Sequence, residues 1–387
     1  MALPISYNVR NLAVRWQVTL LSIFGIGLVV TVFVVLLAMV SGFRLALRAT
    51  GIPENAIIVQ RGSADELTSW VPLNHRQLIV VDSRVARDGE GQPMASPEMV
   101  VVTNLPRRAD GQPTNVTIRG VTPRAFEVRT GIQIIKGRSF TPGLYEVVVG
   151  ERIAKRIAGL DVGATMKAQR KDWQIVGVFR SKGGAFESEI WGDLETMGPA
   201  FLRTGGSNSL VVRMKDPREI PDFDKTIRAD PQMQLQAVAE DKYYADKAGP
   251  VSAALLSLAS FVAIVMGIGA VFGAMNTMYA IVAARTREIG TLRALGFSRR
   301  SILFSFVVES VFLALIGGVV GILLAAPTDG LGGATAVGFA ELAFAFHITP
   351  LAVFIGLTFA VVMGFVGGLL PALRAARLPI SFALREA

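Results

Sequence analysis

The chain has 387 residues, of which 51% are hydrophobic and only 18% are charged, and its mean hydropathy is +0.48. Soluble domains carry about 25% charged residues, so this composition argues against both a disordered chain and a soluble enzyme. The net charge of +9 raises nucleic-acid binding as an alternative. Because the chain has no cysteine, a thiol nucleophile, a cysteine-ligated zinc site and a disulfide framework are excluded. The composition indicates a membrane protein.

Four long apolar runs predict four transmembrane helices. They cover residues 16–43, 248–284, 301–328 and 348–373. Each is longer than the roughly 20 residues that a helix needs to cross the hydrocarbon core. The first run exceeds the apolar stretch of a cleavable signal peptide and has no cleavage site after it, so we expect it to be retained as an anchor.

Residues 51–240 change in character and predict a large mixed α+β domain between the first two helices. Short β-branched runs predict strands at 56–60, 77–81, 98–104, 115–121, 145–150, 172–179 and 208–214, and residues 151–159 and 221–230 predict short helices. No catalytic constellation occurs in this domain. Glu187 and Glu189 stand two residues apart, and we interpret them as a solvated loop pair rather than an acid/base pair.

The second apolar run is too long for a bilayer, because its 37 residues would extend about 55 Å as a helix. Part of it is therefore predicted to project as a stalk that begins near residue 241, with Pro250 close to a bend. The basic segment 285–300 follows. Its Ile289, Leu292 and Leu295 recur at helical spacing, and Gly296 marks a helix end, which predicts a short amphipathic helix that a soluble partner could bind.

Glu309 in the third helix is an expensive group inside a membrane and is by default a functional candidate. Ser305, Ser310 and Asn276 could supply hydrogen bonds to it, and we favour a structural contact over a proton or substrate site. Glycine pairs at four-residue spacing predict close helix packing, and a bundle of only four helices favours a dimer. These pairs are Gly269 and Gly273, Gly317 and Gly321, and Gly364 and Gly368.

The distribution of Lys and Arg predicts the orientation. Basic residues cluster in 1–15, in 279–300 and in the C-terminal tail, whereas the short loop 327–348 has none. The positive-inside rule therefore places both termini in the cytoplasm and residues 42–250 outside it. Since the basic residues adjoin helix ends and do not line one soluble face, nucleic-acid binding is dismissed.

The predicted organisation follows from these elements. It comprises an N-terminal segment with the first helix (1–50), the α+β domain (51–240), the stalk and second helix (241–284), a cytoplasmic loop (285–300), the third helix (301–326), an outer loop (327–348), the fourth helix (349–372) and a cytoplasmic tail (373–387). The chain has no GxxxxGK[ST] motif and no cluster of metal-ligand residues, so we expect it to bind no cofactor or metal itself.

The segment RTREIGTLRALG at 285–296 resembles the permease domain shared by the macrolide exporter MacB, the division protein FtsX and the lipoprotein extractors LolC and LolE. The ending PALRAARLPISFALR at 371–385 is similar to the family's C-terminus, and IRGVTPRAFEV at 118–128 resembles the MacB-type periplasmic region. Two departures accompany the resemblance. We expect the ATPase to be a separate chain and not fused as in MacB, and we expect the outer domain to diverge from the pattern before residue 98.

The resemblance implies a non-catalytic permease subunit of a type VII ABC transporter in the bacterial inner membrane. It would act by mechanotransmission as a homo- or heterodimer, with ATP and Mg²⁺ on a separate cytoplasmic ATPase, with membrane lipids around it and with a periplasmic adaptor as a further partner. By residue matching, the ATPase-coupling stretch is Arg285, Arg287, Glu288, Ile289, Gly290, Leu292, Arg293, Ala294, Leu295 and Gly296.

The family leaves several functions open. The first is export or efflux of amphiphilic or peptide-like cargo. The second is FtsX-like signalling, in which motion of the outer domain controls a cell-wall hydrolase, and lipoprotein or lipid extraction of the LolC/LolE kind is a further alternative. A third class is a membrane scaffold without an ATPase.

Overall fold

In the computed structural model of the chain, residues 16–337 and 340–379 are described. The predicted N-terminal segment with Arg10 and Arg15 and the end of the predicted tail with Arg385 lie outside these residues. The chain forms two compact units. We call them the helix unit, which is the described part of 1–42, 253–331 and 346–387, and the sheet unit, which is 43–252 and 332–345.

The helices that recur below are labelled in chain order. They are α1 Trp16–Arg48, α2 Leu73–Val80, α3 Ala125–Val128, α4 Glu151–Arg156, α5 Leu194–Ala200, α6 Ile220–Ala229, α7 Glu240–Ala284, α8 Thr286–Ala294, α9 Arg299–Ala325 and α10 Pro350–Arg377. Four of the described helices, namely α1, α7, α9 and α10, are long and apolar enough to cross a membrane. Pro250 lies inside α7, which is 45 residues long and is not interrupted at this proline.

Glycines allow the helices of the helix unit to pack closely. A Cβ on Gly321 of α9 would lie only 2.5 Å from the Gly27 carbonyl oxygen of α1. Gly364 of α10 is equally confined, because its missing side chain would overlap Ala314 of α9. By contrast, Gly269 of α7 has no neighbouring atom within 4 Å of the position of its missing Cβ. Two of the predicted glycine pairs therefore pack within the chain, whereas the α7 pair lies on an open face.

The strands of the sheet unit carry the labels β1 to β14, and the last two form a hairpin. They are β1 Asn55–Gln60, β2 Val71–Pro72, β3 Ala95–Pro106, β4 Pro113–Val121, β5 Gln133–Gly137, β6 Glu146–Gly150, β7 Thr165–Ala168, β8 Lys171–Arg180, β9 Glu189–Asp193, β10 Gly206–Ser207, β11 Ser209–Arg213, β12 Leu235–Ala239, β13 Gly332–Val337 and β14 Ala340–Ala345.

Ten of these strands form one mixed sheet in the order β12-β1-β11-β3-β4-β9-β6-β8-β5, with β7 paired to β8. The pairs β4–β9 and β6–β8 are parallel, and the other pairs are antiparallel. One core lies around Trp173 and Ile190, and a second lies around Ile58 and Phe223 of α6. The central strands are buried on both faces, which accounts for their continuous runs of Val and Ile.

The strand predicted at 77–81 is wrong, because this segment belongs to helix α2. Only Ile79 of its apolar run is buried, while Leu78 and Val81 are 57% and 65% exposed. The helix begins at Leu73, so the polar residues that precede the run belong to the same helix. A half-exposed helix with one buried side chain leaves no periodic signal, so the short apolar run imitates a strand.

The predicted outer loop 327–348 is also structured, since it contains the hairpin β13–β14. This hairpin belongs to the sheet unit. Glu341 accepts a hydrogen bond from Thr114 and pairs with Arg156, and the Ala343 amide donates to Ser188 Oγ at 2.9 Å. Phe344 is 1% exposed and packs edge-on against Phe43. The hairpin is thus an integral part of the sheet unit.

Candidate functional site

The short helix α8 occupies the centre of the segment singled out by its sequence. It begins after Arg285 and ends in a Schellman motif, in which the Phe297 amide donates to Leu292 and the Gly296 amide donates to Arg293. Gly296 has a φ of +97°, a conformation that L side chains rarely adopt. The glycine therefore stops the helix and redirects the chain into α9.

One face of α8 is packed into the helix unit. Ile289 is 2% exposed, and Gly290 beside it is buried. Ile289 belongs to a single apolar cluster with residues of α7, α9 and α10. The other buried members of this cluster are Met278, Ile281, Val282, Ile302, Phe306, Ala372 and Ala375. The same small helix thus contacts the ends of three long helices.

A buried ion pair joins the start of α8 to α9. Arg285 Nη1 donates to Glu309 Oε2 at 2.9 Å and to Oε1 at 3.2 Å, and both side chains are at most 7% exposed. Asn276, one of the candidate partners of Glu309, is exposed. Ser310 donates instead to Val307 of its own helix. Glu309 is therefore the partner of the first arginine of the predicted coupling stretch.

A hydrogen bond from Arg293 ties the other end of α8 to α10. Its Nη1 donates to the Ala376 carbonyl oxygen at 2.9 Å. This oxygen lies in the last turn of α10, where cationic side chains satisfy carbonyl groups that the helix leaves unpaired.

The opposite face of α8 is exposed. The ten predicted coupling residues divide accordingly: Arg285, Ile289 and Gly290 are buried, Leu292 and Arg293 are half-buried, and Arg287, Glu288, Ala294, Leu295 and Gly296 are exposed. Leu295, which the spacing placed on the apolar face with Ile289, is 70% exposed. An exposed leucine beside charged residues is a suitable contact for a partner protein.

A second group of charges, which the sequence reasoning missed, lies in the core of the sheet unit. Arg119 on β4 is 2% exposed and donates all five of its N–H groups to three glutamates. These acceptors are Glu66, Glu98 and Glu189, at distances from 2.7 to 3.2 Å. Such full satisfaction is required, since an unpaired buried guanidinium would be strongly destabilising.

Arg129 extends this cluster to the first turn of α7. It pairs with Glu98, and its Nε donates to Glu240 Oε1 at 2.8 Å. Glu240 is fully buried and also accepts a bond from Asn55 Nδ2 at 2.9 Å. The membrane-length helix α7 therefore begins inside the charged core of the sheet unit.

The arginines determine the ionisation of this cluster. Burial alone would raise the pKa of Glu66, but the charge and hydrogen bonds of Arg119, helped by Arg129, lower the pKa to about 2. Glu66 thus carries a negative charge throughout the ordinary pH range. Four glutamates share two arginines, so the cluster holds more negative than positive charge.

The interpretation of Glu187 and Glu189 as a solvated loop pair is wrong, because both are buried. Glu187 accepts the amides of Ser181 and Gly183 and pairs with Arg152, whereas Glu189 holds Arg119. A signal for the cluster was present in the sequence. Arg119 interrupts an apolar strand whose neighbours are buried on both faces, and a charge at such a position requires a buried partner.

In the described ranges, His, Asp and Glu side chains form no group of three or more that could hold a metal ion. His347 Nδ1 lies 3.7 Å from Asp329, and both side chains are about half exposed.

Comparison with protein families gives two matches that together cover most of the chain. Residues 19–230 match the profile described as MacB-like periplasmic core domain, and residues 260–380 match the profile described as FtsX-like permease C-terminal. The first match begins at residue 19 and therefore includes the stretch before residue 98, for which divergence was expected.

Curated relatives carry the name macrolide export ATP-binding/permease protein MacB. The protein from Nitrobacter winogradskyi is 31% identical over 95% of this chain and 58% of its own length, and that from Burkholderia thailandensis is 27% identical over 79% of this chain and 49% of its own length. The chain thus spans about half the length of the relatives it matches.

Two solved structures resemble part of the chain. The periplasmic region of MacB from Actinobacillus actinomycetemcomitans covers 51% of it at 13% identity, with a TM-score of 0.39. The extracellular domain of the ABC-type transporter YknZ from Gram-positive bacteria covers 48% of it at 16% identity, with a TM-score of 0.36.

Proposed function

Because the chain belongs to the MacB/FtsX family of ABC-transporter permeases, we propose that it couples a separate cytoplasmic P-loop ATPase to movement of the sheet unit. The chain is a membrane protein with transmembrane helices. We place it in the bacterial inner membrane with both termini in the cytoplasm and residues 42–250 in the periplasm. The arginines around α8 support this orientation.

The observation that carries the proposal is the two-faced packing of α8. Its buried face is fixed to the other helices by Ile289, by the Arg285–Glu309 pair and by the bond from Arg293 to Ala376. Its exposed face presents Leu295 and Arg287 to the surroundings. A partner that grips the exposed face would therefore move the ends of α7, α9 and α10 together.

Helix α7 supplies the mechanical connection. At 1.5 Å per residue its 45 residues extend about 68 Å, roughly twice the hydrocarbon thickness of a bilayer. Its first residue, Glu240, is bonded to buried Arg129, and its last residue adjoins Arg285 of the ion pair. The helix thus has a fixed attachment at each end, as mechanotransmission requires.

We propose export or efflux of amphiphilic or peptide-like cargo as the outcome of this movement. The relatives are named for macrolide export, and this name supports the cargo class. The working unit would contain two permease copies, with ATP and Mg²⁺ on the ATPase subunits and a periplasmic adaptor as a further partner. The open face of α7 at Gly269 and Gly273 is a candidate contact for the second copy.

The exposed face of α8 can be tested without disturbing its buried face. The tagged chain is purified in mild detergent from native membranes, and the co-purifying proteins are identified by mass spectrometry. We expect a P-loop ATPase in the eluate of the wild type. Leu295→Glu should abolish its recovery, because a charge replaces an apolar contact at the interface.

The matched control is Leu202→Glu, which alters a leucine that is 90% exposed in the sheet unit. This variant should retain the ATPase. Recovery of no ATPase from the wild type, or undiminished recovery with Leu295→Glu, would refute the assignment of α8 as the coupling helix.

A further inference from the structure

The sheet unit contains a cavity of about 340 Å³ beside the buried charge cluster. Most of its wall is apolar. The apolar side chains come from α1, α7, β3, the hairpin strand β14 and two segments outside the strands: Leu47, Val251, Val100, Leu342, Leu67 and Ala185. A cavity of this size is within the range of small-molecule sites, which combine apolar walls with a few polar groups.

The charged groups on the cavity wall are unequal in number. Four are carboxylates and two are cations: Asp65, Glu66, Glu189, Glu341, Arg119 and Lys247. Behind this wall, Glu98 pairs with both Arg119 and Arg129, and Glu240 pairs with Arg129. Glu341 on the wall pairs with Arg156, so the wall and its immediate partners comprise six carboxylates and four cations. The cavity therefore lies in a region with an excess of negative charge.

Of the two cations on the wall, Arg119 is fully engaged by glutamates. Every N–H group of Arg119 is already bonded to a glutamate. Lys247 is half-buried, and its ammonium lies 5.1 Å from the centre of the Tyr243 ring. An anion that entered would meet four carboxylates without a free guanidinium to neutralise it.

Aromatic groups complete the wall. Tyr243 and Tyr244 both line the cavity, and ring faces attract cations. The Tyr244 hydroxyl donates to Glu66 at 3.2 Å, whereas the Tyr243 hydroxyl is buried and has no hydrogen-bond partner in the described part of the chain.

We propose that this cavity binds an amphiphilic organic cation, with its apolar body against the aliphatic wall and its ammonium or phosphonium group near Glu66, Glu189 and the tyrosine rings. The selectivity comes from the charge excess, since a neutral or anionic molecule of the same shape gains no electrostatic stabilisation there. That this ligand is cargo rests on the proposed function, but its binding needs neither ATPase nor nucleotide.

The test uses the full chain in phosphatidylcholine nanodiscs and two probes of matched shape and opposite charge. Radiolabelled tetraphenylphosphonium and tetraphenylborate are titrated separately by equilibrium dialysis, and empty nanodiscs give the background. We expect saturable binding of one tetraphenylphosphonium per chain and no tetraphenylborate above background. Saturable binding of both ions with similar affinity would overturn the proposal, as would the absence of saturable cation binding.

Two pairs of variants locate the site. Thr117 is a half-buried residue on the cavity wall. Thr117→Lys should weaken cation binding by about tenfold or more, because it adds a like charge, whereas Thr117→Met of similar length should change it by less than about threefold. Lys247→Met should tighten binding by about three- to tenfold, and Lys247→Arg should leave it unchanged.

The Lys247 pair gives a result that misfolding cannot imitate, since the expected change is a gain of affinity. Equal effects of Thr117→Lys and Thr117→Met would show that volume and not charge governs binding, and would overturn the cation assignment. Binding that none of the four variants alters would place the probe elsewhere and overturn the site. If the wild-type chain binds the cation as expected but no P-loop ATPase co-purifies with it, only the proposed function is contradicted.

Discussion

Acid should destabilise the sheet unit through Glu66, because this carboxylate is buried against Arg119 and its pKa is lowered from 4.5 to about 2. Each unit of pKa difference between the folded and unfolded states corresponds to about 1.4 kcal/mol, so the charged form of Glu66 contributes about 3 kcal/mol to the free energy of unfolding. Since the folded pKa is depressed, this contribution is complete above about pH 4.5. It is lost as the pH falls from there towards about 2.

The measurement compares the wild type with Glu66→Gln, which cannot ionise. The full chain in nanodiscs is unfolded with guanidinium chloride at several pH values between 7 and 2, and tryptophan emission is recorded. Trp191 reports on the cluster, because its Nε1 donates to Glu189 at 2.8 Å. The stability difference between the two proteins should change by about 3 kcal/mol over this pH range.

Comparing how the free energy of unfolding depends on pH in the two proteins separates the effect of Glu66 from that of other acidic groups. The pKa values of Glu146 and Glu151 are also lowered to about 2, chiefly by hydrogen bonds from Arg138 and Arg180 respectively, but both proteins share these groups. Glu195→Gln, at an exposed glutamate of the same unit, serves as the control and should keep the wild-type pH slope. Parallel pH curves for the wild type and Glu66→Gln would refute the reasoning.

Two further predictions concern the helix unit, and both are measured by unfolding in mixed detergent micelles with increasing SDS. Glu309→Leu should cost about 3–5 kcal/mol because it removes the buried carboxylate that accepts from Arg285 Nη1, even though Glu288 still contacts Arg285 Nε at 3.4 Å. Arg285→Met/Glu309→Leu should be nearly neutral, and equal losses in both variants would contradict the ion-pair assignment. Gly321→Ala should cost about 1–3 kcal/mol, because the added methyl group would overlap α1. Gly269→Ala on the open face of α7 should be neutral or slightly stabilising. A loss with Gly269→Ala that exceeds the loss with Gly321→Ala would show that the α7 face is packed.

The membrane helices and the strands around the central cores could be predicted because each carries a long or β-branched apolar run. The ends of β3 and β4, for example, extend the predicted runs 98–104 and 115–121 by only a few residues. The hairpin β13–β14 was missed because Gly and Ala dominate the segment, and these residues have low strand propensity. Its structure depends on contacts with Arg156 and Ser188, which are distant in sequence.

The site was predicted only in part for a similar reason. The position of α8 and its glycine end follow from local pattern. The partner of Glu309 cannot be read from local pattern, because Arg285 lies 24 residues earlier in the sequence. The positive-inside rule also already accounted for the charge of Arg285. The cluster around Arg119 depends on strand order, which brings together Glu66, Glu98 and Glu189 from separate parts of the chain. Spacing within one element cannot reveal such a group.

The placement of the hairpin has a practical consequence for dissecting this protein. The sheet unit is discontinuous in the sequence, because 332–345 belongs to it as firmly as 43–252 does. A fragment that ended at residue 252 would lose Phe344 and uncover the ring of Phe43, which is fully buried in the intact chain. It would also leave Arg156 without Glu341 and Ser188 without the Ala343 amide. Domain exchange between relatives therefore requires that the hairpin be transplanted together with the sheet.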